Sequence, residues 1–315
     1  MMMSKYSAGK FIGLAAMIAV LHTTTALATD LALGDENSLP AVSGVNAKLD
    51  FSYLYTDLGG PVDDVHGAAV VGSLSAPLGQ RFGWQIDAGL SRNDAGNPVG
   101  DIDQYGIAGH LFTRDPSVGL LGIYAHYLNT DFGLIDLDSY RYGVEAEWYM
   151  NQVTLEGFVG ADHVDGGAVD KTYANLDFTA AYYVNDNTRI EAGVELKFDE
   201  TIATIGFEAI LPMFHNNTSI YTNASFGDDA TSVRAGLRIY FGEQGKSLID
   251  RHRQDDPKPR LLDLNGLNVC DFVEPSFRPR VRDMRTIFVD SLPSDSGCSE
   301  GPMMYPPMMY PTTDN

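Results

Sequence analysis

A strict alternation of apolar and polar side chains, repeated along most of the chain, is the feature that most limits its fold. Between 138 and 162, one set of alternate residues consists of Tyr140, Tyr142, Val144, Ala146, Trp148 and Met150. The intervening set consists of Ser139, Arg141, Gly143, Glu145, Glu147 and Tyr149. The alternation resumes after Asn151-Gln152 and continues to Asp162. Successive side chains of a β-strand leave opposite faces, so this pattern indicates two strands joined by a turn.

About twelve segments of this kind follow one another between residues 44 and 242, most of them roughly 9–12 residues long, the length that a tilted membrane strand requires. One of the clearest spans 189–198, where Ile190, Val194 and Leu196 alternate with charged residues. The last spans 232–241 and ends at Phe241.

The links between these segments are predicted to alternate in length. Links from even to odd segments are short, such as Gly79-Gln80 and Asn151-Gln152, whereas those from odd to even segments, such as 162–170, are mostly longer and acidic. Outer-membrane barrels combine short periplasmic turns with longer outer loops. An even number of strands would place both ends of the barrel on the periplasmic side. The alternative is a secreted soluble all-β protein whose apolar residues pack between two sheets.

The predicted fold class is therefore all-β: a transmembrane antiparallel up-and-down β-barrel of about twelve strands with a short periplasmic C-terminal extension. Hydrocarbon offers no hydrogen-bond partners, so such a sheet has to close on itself. The polar face would line the lumen, with these candidates: Arg141, Glu145, Glu147, Glu156, Arg189, Glu191, Glu195, Lys197, Arg234 and Arg238. Aromatic residues near the strand ends suit two interfacial girdles: Tyr53, Tyr55, Phe82, Trp84, Tyr140, Trp148, Phe198 and Phe241.

The N-terminal residues 1–28 have the organisation of an export signal. Lys5 and Lys10 precede an apolar run over 11–21, and Ala26-Leu27-Ala28 suits cleavage after Ala28. A short N-terminal periplasmic segment, 29–43, would then precede the barrel at 44–242. We expect the mature protein in the bacterial outer membrane with both termini in the periplasm.

The negative charge is concentrated in the strand region. Residues 29–242 contain 10 basic and 30 acidic residues, whereas residues 243–315 contain 9 basic and 12 acidic residues. Such a surface repels nucleic acid and attracts cations. The expected partners are outer-membrane lipid, lipopolysaccharide bridged by divalent ions, and the barrel-assembly machinery.

The C-terminal residues 243–315 form a tail rich in Pro, Arg and Asp, expected to be partly disordered, with an unknown periplasmic partner. Cys270 and Cys298 would pair in an oxidising compartment, with two free thiols as the alternative. We interpret the segment from Arg251 to Pro257 as a solvated, locally ion-paired linker, with a docking motif as the alternative. The repeated Met-Met-Tyr-Pro unit at the end of the chain is low in complexity, and a copper site there is disfavoured.

The stretch GLRIYFGEQGKSLIDRHRQDDP (236–257) resembles the junction that follows the terminal strand in porin-like outer-membrane barrel proteins of alphaproteobacteria. The matching positions are Lys246-Ser247-Leu248-Ile249, Arg251-His252-Arg253 and Asp255-Asp256-Pro257. Members of this family are largely uncharacterised, so the resemblance implies a location and a fold. It adds little about activity.

Three functions are compatible with these features. The leading one is a porin-like channel for small polar solutes or cations, with room left by the inward glycines Gly83, Gly89, Gly143, Gly160, Gly193, Gly206 and Gly236. The second is a structural barrel that anchors a periplasmic tail to the cell wall or a partner protein. The third is an outer-membrane hydrolase, for which Asp64 and His66 are the nearest approach to a catalytic pair. We expect no enzyme activity, no cofactor and no metal site.

Overall fold

The chain folds into one closed barrel. A computed structural model describes residues 39–57, 64–96, 100–133, 136–166, 169–228 and 230–262. Its strands are β1 (Asn46–Asp57), β2 (Val65–Leu78), β3 (Phe82–Asp94), β4 (Asp101–Asp115), β5 (Gly119–Asp131), β6 (Asp136–Met150), β7 (Val153–Gly166), β8 (Val169–Asn185), β9 (Thr188–Lys197), β10 (Glu200–Ile210), β11 (Thr218–Phe226) and β12 (Thr231–Tyr240). A 3-10 helix (Pro212–Phe214) precedes β11, and α1 (Leu248–Gln254) follows β12.

Every strand pairs in antiparallel fashion with its neighbours along the chain, and β1 pairs with β12 to close the sheet. The predicted up-and-down barrel is confirmed, and the predicted count of twelve strands is also right. We term the end of the barrel that holds the start of β1 and the end of β12 the turn end. The opposite end, which holds the link from β1 to β2, is termed the loop end.

The outer face of the barrel is apolar. The exposed side chains include Phe51, Ile107, Ile123, Val144, Val159, Phe178, Val194, Ile205 and Leu237. Ile123 is 58% exposed and Val159 is 61% exposed. Two packed sheets would bury these residues, so the soluble sandwich alternative is wrong. Among the described residues, no helix has the length and apolarity that crossing a membrane requires.

The predicted contrast in link length holds in part, because the links after β1 and β3 are longer than most links at the turn end. At the loop end, β7 ends at Gly166 and β8 begins at Val169, so the acidic stretch 162–170 is almost entirely strand. At the turn end, the link between Ile210 and Thr218 contains the 3-10 helix. At the loop end, polar side chains continue to pair across the strands, and His163 Nδ1 lies 3.1 Å from Thr172 Oγ1. The acidic residues at the loop end therefore lie in strand ends beyond the apolar outer face, where the strands are still paired.

Phe198 was expected in an outward aromatic girdle, and that prediction is wrong. Phe198 and Asp199 form the two-residue link from β9 to β10, with φ angles of 51° and 66°. Two positive φ angles are typical of the tight hairpin turns that match strand twist. The turn directs the Phe198 ring inward, where it packs in a buried cluster with Leu137, Val164 and Tyr173.

Several sequence predictions concern residues outside the described ranges. These are the export signal (1–28), the pairing of Cys270 with Cys298, and the Met-Met-Tyr-Pro units. The described part of the C-terminal extension, 243–262, returns to the barrel, as described below.

Candidate functional site: the barrel lumen

The inner face of the barrel is polar and charged. The structure places all ten predicted lumen residues on this face, buried or half-buried: Arg141, Glu145, Glu147, Glu156, Arg189, Glu191, Glu195, Lys197, Arg234 and Arg238. Most of them face charges of opposite sign. The side-chain period of two explains this placement, because each lies one residue away from an apolar, outward neighbour.

Near the turn end, two arginines organise the carboxylates of neighbouring strands. Arg189 of β9 hydrogen bonds to Glu191 on its own strand and to Glu156 of β7, the latter at 2.7 Å. Arg238 of β12 lies 2.7 Å from Glu208 of β10. Charges buried in this way need partners, and these mixed pairs provide them.

On the part of the wall formed by β3 to β6, a histidine joins two carboxylates that sequence analysis did not connect. His110 of β4 lies with Nε2 3.0 Å from Asp87 and Nδ1 2.8 Å from Glu145. Nearer the loop end, Arg141 makes two hydrogen bonds with Asp162, at 2.6 and 3.1 Å. The sequence shows that these residues share the inner face. Which of them meet depends on strand register and on barrel curvature, and local periodicity specifies neither.

The chain beyond β12 turns back into the barrel. α1 begins after Ser247, whose side-chain oxygen accepts from the Asp250 backbone N–H as an N-cap. Residues 255–262, termed the plug segment, then enter the lumen from the turn end. Asp256 forms an ion pair with Lys48, near the start of β1.

The plug segment places two cations against the acidic wall. Lys258 Nζ lies 3.2 Å from Glu191 and 4.0 Å from Glu156. Burial opposes the charge on Lys258, but these carboxylates outweigh it and raise the pKa of the amine above its ordinary value. Further toward the loop end, Arg260 forms an ion pair with Asp177. Both cations are therefore held charged inside the barrel.

The segment ends in an apolar contact in the middle of the lumen. Leu261 and Leu262 are almost fully buried, and they form one cluster with Ala69, Val71, Ala108, Tyr124, Leu128 and Phe158. They also lie over Gly89, where an added Cβ would be 3.1 Å from a Leu262 methyl carbon. The room that this inward glycine was expected to leave is thus occupied by the chain's own tail.

Helix α1 covers the turn end and fixes where the plug segment starts. Arg251 is 1% exposed and donates to the backbone oxygens of Asn216 and Glu243 at 3.1 and 2.8 Å. Arg253 donates to the Val153 carbonyl at 2.9 Å. The interpretation of this stretch as a solvated linker is therefore wrong, because its side chains are buried against the barrel.

The end of the N-terminal segment is tied to the same region. The Ala41 N–H donates to the Gln80 carbonyl at 2.8 Å, and Ser43 Oγ donates to the Asp255 carboxylate at 2.6 Å. Residues on both sides of the barrel sequence thus meet at its turn end.

A small polar cavity remains beside the plug segment. Its volume is about 60 Å³, room for a few water molecules. The lining includes Glu147, Glu156, Arg189, Glu208, His252 and Lys258. Wall charges of both signs therefore line this space.

The hydrolase alternative gains no support from the geometry of its candidate pair. His66 is exposed on the outer face, beside the Tyr53 ring at 6.4 Å between centroids. Asp64 accepts a hydrogen bond from the Tyr55 hydroxyl at 2.5 Å. The two residues therefore have separate aromatic neighbours on the outside of the barrel.

Comparison with known proteins supports the architecture. No protein-family model and no curated protein matches the sequence. The fold is similar to an outer membrane channel from Pseudomonas putida F1, at 9% identity over 66% of this chain and 99% of that chain, with a TM-score of 0.51. It is also similar to the KdgM porin in complex with disordered oligogalacturonate (10% identity, 62% and 99% covered, TM-score 0.44). The translocator domain of the autotransporter NalP from Neisseria meningitidis matches at 14% identity over 62% and 88%, with a TM-score of 0.42. At these identities the similarity concerns the barrel fold alone.

Proposed function

We propose that this chain is a porin-like outer-membrane channel for small polar solutes, with a preference for cations, and that residues 255–262 close its lumen. The observation that carries this proposal is the width of the interior. A polypeptide segment with its side chains fits inside a wall that is polar and charged. The segment around α1, which resembles that of alphaproteobacterial porin-like barrels, would then serve as the attachment of the plug.

The number of strands supports a passage. Barrels of eight strands are filled by their own wall side chains, and barrels of sixteen or more leave an open channel. Here the wall side chains leave space that main chain occupies, as Leu261 and Leu262 show in the middle of the barrel. Withdrawal of the plug segment would leave a passage roughly as wide as an extended peptide.

The outer surface supports a membrane location. Its exposed apolar residues require a hydrocarbon environment, because an apolar surface of this extent is unstable in water. The closed sheet satisfies the backbone hydrogen bonds that lipid cannot. In the proposed orientation the turn end faces the periplasm, and contacts with lipid, lipopolysaccharide and the barrel-assembly machinery follow from that location.

The wall charges support the preference for cations. Removal of the plug segment would take Lys258 and Arg260 away from Glu191, Glu156 and Asp177. The vacated lumen would then carry an excess of carboxylates, which attract cations and repel anions. We assign the chain no catalytic role.

Single-channel recording in planar bilayers tests the channel. A chain ending at Gln254, which keeps α1 but lacks the plug segment, should conduct persistently. In a potassium chloride gradient its reversal potential should have the sign of cation selectivity. The full chain should conduct rarely under the same conditions.

A folded, inserted truncated chain with no conductance would reject the channel and favour the second candidate, a barrel that anchors a tail. The buried contacts of Arg251 at the turn end are the observation that supports this second candidate.

A further inference from the structure

The lumen contacts the main chain of the plug segment as well as its charges. Lys48 Nζ and Gln85 Nε2 each lie 3.3 Å from the Pro257 carbonyl oxygen. Arg234 Nη2 donates to the Leu262 carbonyl at 2.8 Å. Donors aimed at two peptide carbonyls, five residues apart along one segment, recognise a peptide backbone.

Two cationic positions lie between these carbonyl contacts. Lys258 contacts Glu191 and Glu156, and Arg260 contacts Asp177. Alternate residues of an extended chain lie about 7 Å apart. The wall therefore matches a ligand with positive charges on alternate residues.

The apolar cluster around Leu261 and Leu262 adds a third element of recognition. A small polar solute would gain no binding energy from an apolar pocket inside a polar wall. A linear polyamine could satisfy the carboxylates, but it would leave both the carbonyl donors and this pocket unused. Taken together, the contacts favour a peptide over a simple organic cation.

The acidic wall also has hydrogen-bonding capacity that the plug segment does not use. Glu156 is 5% exposed, and its Oε2 atom has no hydrogen-bond partner among the described residues. It lines the remaining cavity beside Lys258. Lys258 Nζ lies 4.0 Å from this same oxygen, an ion pair without a hydrogen bond, and the adjacent cavity leaves room for a further donor.

We propose that the lumen is a binding site for an extended basic peptide with the pattern basic, any residue, basic, apolar, apolar. The plug segment is the built-in occupant, and a peptide from another molecule binds when it replaces that occupant. This inference rests on the proposed channel only in so far as the lumen has to be accessible.

Fluorescence anisotropy on the refolded full chain in detergent tests this site. The probe is a labelled synthetic hexapeptide, Pro-Lys-Pro-Arg-Leu-Leu, which copies residues 257–262. The protein is compared with a Lys258→Gln/Arg260→Gln variant, in which the built-in occupant is weakened. Arg92→Gln, which removes a cation from an exposed outer ion pair, is the matched control.

The double variant should bind the peptide saturably and about tenfold more tightly than the wild-type chain, because charged hydrogen bonds of the competing segment are lost. Arg92→Gln should bind it as the wild type does. A peptide with Gln at both basic positions, and one with Ser at both leucines, should each bind about tenfold more weakly. If the double variant fails to fold, Arg260→Gln alone serves in the same comparison.

Absence of saturable binding, or equal binding of the Gln peptide, would overturn the site. Competition by spermidine as effective as that by the unlabelled peptide would also overturn it, because the wall would then recognise charge alone. Binding without conductance would retain the peptide site and reject the channel. Conductance without binding would retain the channel and reject the peptide site.

Discussion

Arg251 is among the most deeply buried side chains of the described chain, although it does not belong to the barrel wall. Its guanidinium reaches the Asn216 and Glu243 carbonyls and lies 4.6 Å from the centre of the Tyr240 ring. A single side chain thus joins α1, the link before β11 and the end of β12. Five fixed donors make arginine suited to such a position.

Replacement of Arg251 should therefore loosen the turn end. Arg251→Ala leaves buried carbonyls without donors and should lower the free energy of unfolding by about 3 kcal/mol. Arg251→Lys keeps the charge but cannot reach all the acceptors. Its free energy of unfolding should therefore lie between those of the wild type and Arg251→Ala. Urea unfolding in detergent micelles measures both. Equal stability of the Ala variant and the wild type would show that α1 is not docked in this way.

Inward glycines make a second prediction at the residue scale. A Cβ on Gly143 would lie 2.3 Å from the Val159 carbonyl oxygen and 2.6 Å from Phe158 Cζ. Gly143→Ala should therefore destabilise the barrel by about 1–3 kcal/mol. Gly109, where nothing lies within 4 Å of an added Cβ, is the matched control, and Gly109→Ala should be close to neutral. Similar unfolding midpoints for the two variants would contradict the packing described here.

Residue faces were predictable, and residue partners were not. Alternation in the sequence places Glu145 and Arg189 on the polar face because the period of a strand is a local property. The contact of Glu145 with His110 joins strands that are not adjacent in sequence. It depends on register and curvature, which a single sequence does not specify.

At the scale of elements, α1 depends on the protonation of one histidine. His252 Nδ1 lies 2.9 Å from the Tyr183 hydroxyl and 3.3 Å from Arg189, and its Nε2 lies 3.5 Å from Glu208. Burial lowers the pKa of His252 below the ordinary value of 6.5, Arg189 and Arg238 act in the same direction, and Glu208 opposes them. The docked helix therefore favours the neutral ring.

Acid should weaken the docking of α1. A depressed folded-state pKa means that the unfolded chain takes up the proton first, so stability present above about pH 6.5 is lost as the pH falls below it. Between about pH 7.5 and 5.5, the urea midpoint should fall more for the wild type than for His252→Gln, which does not titrate. The same fall in both proteins would assign the pH dependence to other groups.

Elements differed in how well the sequence predicted them. The strands follow from alternation, which is strong in β9 and β12. The links were harder, because Asp162 and His163 look like loop residues in composition although they lie inside β7. The stretch from Arg251 to Asp256 has the composition of a solvated linker. Its docking is a tertiary effect, in which buried partners on the barrel override a polar composition.

At the scale of the whole molecule, the two cations of the plug segment complement the acidic wall of the barrel, whereas its Asp255 and Asp256 pair with Lys246 and Lys48 near the turn end. The barrel sequence has far more acidic than basic residues, and the plug segment brings Lys258 and Arg260 to its carboxylates. The barrel alone would hold like charges close together in its lumen. Lys258 and Arg260 relieve that repulsion, and in the proposed function the departure of the plug segment leaves a polar passage. Sequence periodicity predicts the cylinder but not its occupant, because the occupant lacks a periodic signature.

The conductance of full-length protein with a weakened plug tests the central claim most directly. In planar bilayers, Lys258→Gln/Arg260→Gln should open about tenfold more often than the wild type, because the ion pairs of both cations with the lumen wall are lost. The control Arg92→Gln should behave as the wild type does. Two results would contradict the account. One is a folded, inserted double variant that conducts as rarely as the wild type, and the other is a wild-type chain that already conducts continuously.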